Sequence, residues 1–343
     1  MYLTRIVFRL TKQNSKKTQG KKKKFKIAVI KPYFYLDLYT KSSNNFKDII
    51  YSSYYRFGPV GLFYDLNSDF FITKSKISKE LKERIKKRIK SKEHKKLIEV
   101  QKKNSINEKK IGFNKYDVVL CYEGAVSNEI IKKNSKCRWG IILEDHSHHS
   151  YKKFLIMKPK NFEFFLNLTQ GFTPYSFFRK NHCIDFSYTF GSSNLLKKLN
   201  IKKTYKIDVL AEIQQPSKII QELNLKKYEI EKLNGNLQTK DYIKKLSSSK
   251  IFFCPIFTTP RWGNSIIEAA ICKNLVIGNK FGYWNSILID NDLHCSSISE
   301  GRKIIEDILS DKQKYNFYLK KQTKILDNIN FNRPIGQLYK KLN

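Results

Sequence analysis

The chain has 343 residues, 41% of them hydrophobic, which suits roughly two domains with buried cores. Its 67 Lys and Arg against 30 Asp and Glu give a formal charge of +37, so acidic partners are excluded less readily than basic ones. Six widely spaced cysteines exclude a disulfide scaffold or a paired zinc motif, and no run nears the ~18 apolar residues of a membrane helix.

Residues 1–24 lack acids and end in Lys21-Lys22-Lys23-Lys24, which predicts a flexible basic arm. An N-terminal Rossmann-like domain is expected over 25–190, opening with a strand from Phe25 to Ile30. Gly58-Pro59-Val60-Gly61 reads as a turn. A basic helical insertion is expected over about 76–110, where Ile77, Leu81, Ile85 and Ile89 form a narrow apolar stripe. Further strands are expected at Asp117 to Cys121, Trp139 to Leu143, Phe162 to Leu168 and Ile184 to Phe190, with a hinge at Gly191-Ser192-Ser193.

The second half, 191–325, repeats the alternation. Strands are expected at Lys206 to Leu210, Ile251 to Cys254 and Leu275 to Ile277, and helices at Lys218 to Leu225 and Asp241 to Ser247. Helices follow from Glu300, and the tail 326–343 is expected to cross back to the first domain. The fold class is therefore α/β, with two Rossmann-like domains facing across a cleft.

Two constellations carry chemistry. Glu144, Asp145, His146, His148 and His149 crowd the carboxyl end of a predicted strand, where they suit substrate or proton handling, a metal, or a plain polar loop. From Pro255 to Asp290 a strand ends in a Pro/Gly-broken loop, and a helix opens at Asn264-Ser265 with Glu268 in its expected first turn. Unpaired N–H groups and the helix dipole attract an anion at such an end. Gly263 admits close approach, and Arg261 and Lys280 are the nearest candidate cations. Ser265-x-x-Glu268 also matches a capping box, in which the glutamate only secures the helix. Asp290-Asn291-Asp292 has the form of a metal-binding Asp-x-Asp, but its position after the strand favours a turn.

The run Trp262-Gly263-Asn264-Ser265-Ile266-Ile267-Glu268-Ala269-Ala270, followed by Asn274 to Ile277 and Gly282, resembles the nucleotide-sugar half of GT-B glycosyltransferases, particularly the retaining group 1 family. The resemblance implies that Glu268 holds the donor ribose and that Gly263, Asn264 and Ser265 cradle its diphosphate, with Gly282 in the neighbouring turn. It also implies that Asp145-His146, in reversed order, faces the donor sugar. Pro260 stands where many members carry a further glutamate, which leaves retention or inversion open.

These readings converge on a glycosyltransferase moving a sugar from a nucleotide-diphosphate donor to a hydroxyl of a glycan, lipid-linked sugar or similar acceptor. Catalytic roles are expected for Asp145, His146 and Glu144, with no metal and no cofactor. Cytoplasmic placement is expected, with peripheral contact to an anionic inner membrane surface and no specific nucleic acid. A GT-B epimerase and a non-enzymatic nucleic-acid-binding protein are the alternatives.

Overall fold

A computed structural model describes residues 25–32, 66, 68–74, 83, 99, 102–103, 105–122, 126–143, 162–167, 183–185, 202–212, 223, 225–233, 239–255, 264–280, 283–329 and 333–343. Two wholly parallel sheets organise them. The first contains β1 (Ile27–Pro32), β2 (Asp69–Thr73), β3 (Val118–Tyr122), β4 (Arg138–Leu143), β5 (Phe162–Asn167) and β6 (Cys183–Asp185). Their spatial order is β2-β1-β3-β4-β5-β6.

The second contains β7 (Ile207–Glu212), β8 (Ile230–Leu233), β9 (Ser249–Cys254) and β10 (Leu275–Gly278), in the order β10-β9-β7-β8. Each sheet starts with a strand, adds its second on one side and its third on the other. The order therefore reverses between β1 and β3 and again between β7 and β9, and ligands in open α/β sheets bind at the carboxyl ends of such switch points.

The central strands read as unbroken apolar runs because helices cover both faces of a parallel sheet. All five residues of β3 and all four of β10 are buried. Each fully buried Val, Leu or Ile contributes about 1.5–3 kcal/mol. The strands β2 and β8 were not foreseen. Both lie at sheet edges, are only partly buried and are flanked by charged residues, so neither shows a clean apolar pattern.

Seven helices with described bounds matter here: α1 (Asn128–Lys133), α2 (Thr239–Ser248), α3 (Asn264–Ile271), α4 (Tyr283–Leu288), α5 (Ile298–Ser310), α6 (Lys312–Asp327) and α7 (Arg333–Leu342). α5 presents Gly301, Ile305 and Ile308 inward. A Cβ at Gly301 would stand 2.6 Å from the Phe253 ring, so only glycine lets the helix lie this close to β9. The outer edge of β10 is closed by Gln322 of α6, whose amide accepts from Val276 N at 2.9 Å and donates to the Asn274 carbonyl at 2.8 Å. A side chain thus supplies what a further strand would have provided.

α7 lies against the first sheet although it follows the second in sequence. Arg138, the first residue of β4, donates to the carbonyls of Leu342 and Lys341, and Tyr339 stacks on Phe25 with ring centroids 6.0 Å apart. The cation also satisfies carbonyls at the helix end that lack partners within the helix.

The basic insertion does not continue as helix to Lys110. Ile106 pairs with the edge of β2 through its N–H on the Ile72 carbonyl at 2.9 Å, and Glu108–Lys110 form a single 3-10 turn. Asn107 caps that turn by accepting from Lys109 N, and the strand edge outcompetes helical extension. The basic arm, the hinge at 191–194 and the Gly58 to Gly61 turn lie outside the described residues.

Candidate functional site

At the second switch point, β7 ends in Glu212 and β9 ends in Cys254. The Glu212 carboxylate accepts the Ser265 hydroxyl at 2.7 Å through Oε1 and the Cys254 thiol at 3.2 Å through Oε2. One acid therefore ties both central strand ends to the start of α3. Within α3, Ile266, Ile267, Ala269 and Ala270 are buried, and the two alanines let the helix sit close to its surroundings. Lys273 ends it in the left-handed region, at φ 60, with its N–H on the Ala270 carbonyl and the Asn274 N–H on that of Ala269. This is a Schellman closure made without glycine.

Glu268 is the fifth residue of α3, so it lies beyond the first turn, which contains no acid. Ser265 is inside the helix rather than before it, and its hydroxyl is directed to Glu212. The capping-box arrangement, with serine as the residue preceding the helix, is therefore not formed. Glu268 is only 6% exposed, and its Oε2 accepts the Tyr242 hydroxyl at 2.6 Å. Tyr242 stands on α2, itself 2% exposed. No spacing in the sequence links positions 242 and 268; only the packing of α2 and α3 joins them.

Burial disfavours the thiolate form of Cys272 and Cys295. Burial pushes Cys272 up to about 12, and it does the same for Cys295 and for Cys121 in the first sheet. A thiolate is required for attack, and none forms near neutral pH. Cys121, Cys137, Cys254, Cys272 and Cys295 are free and buried.

The turn after β10 is held by Asn285, whose amide donates to the Asn279 carbonyl at 2.7 Å. A Cβ on Gly278 would meet the Cys254 carbonyl oxygen at 2.2 Å, so glycine is required where β10 and β9 end side by side. The Lys280 ammonium bonds the Asn291 side chain, and the Lys280 backbone N–H donates to His294 Nδ1 at 3.3 Å. Asp290 caps the following 3-10 turn and pairs with Lys321 at 2.6 Å, while Asp292 accepts from Tyr318 at 2.8 Å. These carboxylates hold the turn against α6. Among the described residues no group of three or more His, Cys, Asp and Glu is arranged to hold a metal.

At the first switch point the sequence reading missed Lys31. It lies at the carboxyl end of β1, wholly buried, with Nζ 4.3 Å from the centroid of the Tyr122 ring at the end of β3. A lysine immediately before Pro32-Tyr33 gives no motif. Its position at a strand end beside a switch point was the available signal.

The structure thus brings Ser265 and Glu268 together with Glu212 and Tyr242, which were not anticipated, and places Lys280 on the adjoining turn. For Asn264 it describes the backbone at the start of α3. Glu144, Asp145 and His146, with Arg261, Gly263 and Gly282, lie outside the described residues.

No known family's sequence model matches the chain, and no curated protein matches it. Solved structures do. An alpha-glucosyltransferase in complex with UDP and a 13-mer DNA containing a HMU base aligns with TM-score 0.54 at 9% identity, over 93% of this chain and 99% of that one. A DNA-modifying beta-glucosyltransferase studied with and without uridine diphosphoglucose aligns at 0.53 and 10% identity, over 92% and 99%. T4 phage BGT in complex with UDP and Mn2+ aligns at 0.52 and 10% identity, over 93% and 99%. At such identities the likeness defines architecture, and the chain has the GT-B glycosyltransferase fold of two Rossmann-like domains.

Proposed function

We infer that the protein is a glycosyltransferase moving a sugar from a nucleotide-diphosphate donor to an acceptor hydroxyl. The observation that carries this reading is the arrangement at the β7/β9 switch point, where the start of α3 stands beside two hydroxyl-partnered carboxylates, Glu212 and Glu268. A helix N-terminus suits a diphosphate, and a buried acid suits ribose hydroxyls.

In the mechanism that follows, Glu268 accepts hydrogen bonds from the donor ribose. The N–H groups at Asn264 and Ser265, with Gly263 before them, face the diphosphate. Arg261 and Lys280 add positive charge as the leaving group develops its own, and Gly282 lets the neighbouring turn approach. Such preorganised donors stabilise the oxocarbenium-like transition state of sugar transfer without a metal. Asp145, His146 and Glu144 are assigned to the acceptor side, where a carboxylate or imidazole would take the proton of the attacking hydroxyl.

Calorimetry in a chelating buffer against a panel of nucleotide sugars tests the proposal. Glu268→Ala should weaken the donor by roughly 1.5–3 kcal/mol, the worth of hydrogen bonds to a charged group. A lowered melting temperature with unchanged donor affinity would overturn the ribose role, and binding that appears only with added metal would overturn the metal-free part.

A second reading concerns the acceptor. The fold relatives described as DNA-modifying or bound to DNA, together with the charge of +37, favour a nucleic-acid hydroxyl over a glycan or lipid-linked sugar. Offering hydroxymethylated DNA and lipid-linked sugars as competing acceptors separates the two. No described helix is long and apolar enough to cross a membrane, so contact with an anionic lipid surface would be peripheral.

A further inference from the structure

We propose that Tyr242 is a positioning residue that makes this site select ribonucleotides over 2′-deoxyribonucleotides. The inference rests on the reading of Glu268 as the ribose ligand and adds the residue on which its selectivity depends.

A glutamate reaches its carboxylate through three rotatable bonds, and a pair of vicinal hydroxyls is gripped only by a carboxylate held in one plane and one direction. Tyr242 supplies that constraint. Its ring has two torsions, it is 2% exposed within the packed core between α2 and β9, and its hydroxyl lies 2.6 Å from Glu268 Oε2. A phenol this deeply buried must donate to some acceptor, and the acceptor it has is the site carboxylate.

The direction of the bond matters as well. Because the phenol donates, the carboxylate remains an acceptor and keeps lone pairs for ligand hydroxyls. α2 and α3 are separate helices that both pack on β9, so the bond also couples the carboxylate to a second element of the fold. A purely structural bond would stabilise the fold without affecting how the site distinguishes one sugar from another.

The test uses the full-length protein and calorimetry with ADP, GDP, CDP and UDP, carrying forward the tightest binder and its 2′-deoxy counterpart. Tyr242→Phe should reduce the ribo-to-deoxy affinity ratio roughly tenfold while leaving the deoxy affinity unchanged. The double variant Tyr242→Phe with Glu268→Gln should show the same ratio as Glu268→Gln alone, because the phenol acts through the carboxylate.

If Tyr242→Phe keeps the wild-type ratio while Glu268→Gln abolishes it, the positioning role falls and the ribose reading stands. If Glu268→Gln also keeps the ratio, or no nucleoside diphosphate binds, the ribose reading itself falls. Should Tyr242→Phe fail to fold, the double variant still decides. It leaves no carboxylate stranded in the core, and a ratio different from that of Glu268→Gln overturns the proposal.

Discussion

At the switch point of the first sheet a cation, Lys31, is buried over the face of Tyr122; at that of the second, the carboxylates of Glu212 and Glu268 are held by hydroxyl and thiol donors. Topologically the two places are alike, since each lies between the first and third strands of its sheet. Chemically they are opposite. A buried ammonium suits an anionic group, because opposite charge offsets what the cation lost on leaving water. A carboxylate bonded to hydroxyls suits other hydroxyls, because one neutral donor exchanges for another at small cost. A nucleotide sugar carries phosphates and hydroxyls together, so two unlike switch points suit one ligand better than two equal ones would.

The largest expected effect comes from removing the cation. Lys31→Met keeps the length and volume of the side chain while removing its charge. Sugar transfer should fall about ten- to hundredfold, as for loss of a charge-assisted contact, in protein that remains folded by its melting temperature. A large drop in melting temperature with full turnover would show that Lys31 serves only the strand ends.

A smaller effect separates site from scaffold. Gln322 lies away from both switch points and closes the edge of β10. Gln322→Leu should destabilise the protein by about 2 kcal/mol in a denaturant titration, because Val276 N and the Asn274 carbonyl lose a partner. Nucleotide affinity should not change. If it did, the edge of the second sheet and its ligand end would be one unit, and the contrast between the switch points would have to include it.

The mildest test uses pH at the opposite end of the second sheet. Lys203 donates to the Leu246 carbonyl and to Asn274 Oδ1, both at 2.8 Å, and burial above all lowers it from its ordinary 10.5 to about 7. Between those values the unfolded chain holds a proton that the folded protein has released. Stability contributed by this group therefore rises with pH from about 7 toward 10.5 and is level below 7. The difference in unfolding free energy between wild type and Lys203→Met should grow across that window, and a flat difference would show that Lys203 stays charged.

The alternation of apolar runs in the sequence was enough to place β1, β3, β4, β7, β9 and β10 within a few residues, because buried parallel strands must be apolar on both faces. The helix start at Asn264 was legible for a related reason: a Pro/Gly-broken loop between a strand and an apolar helical run leaves few other places for it. Edge strands escaped, since β8 needs only one apolar residue facing in and its charged neighbours resemble any surface.

What the sequence determined alone, then, was the order of the buried central strands and the helix start after β9, since both follow from local composition. Which strand ends lie side by side was decided only by the tertiary structure. Glu212 meets Ser265 across 53 residues and Tyr242 meets Glu268 across 26, in each case because a helix docks on a sheet. Such docking depends on summed apolar burial over whole faces, and no short pattern of residues encodes where two distant polar groups will meet within it.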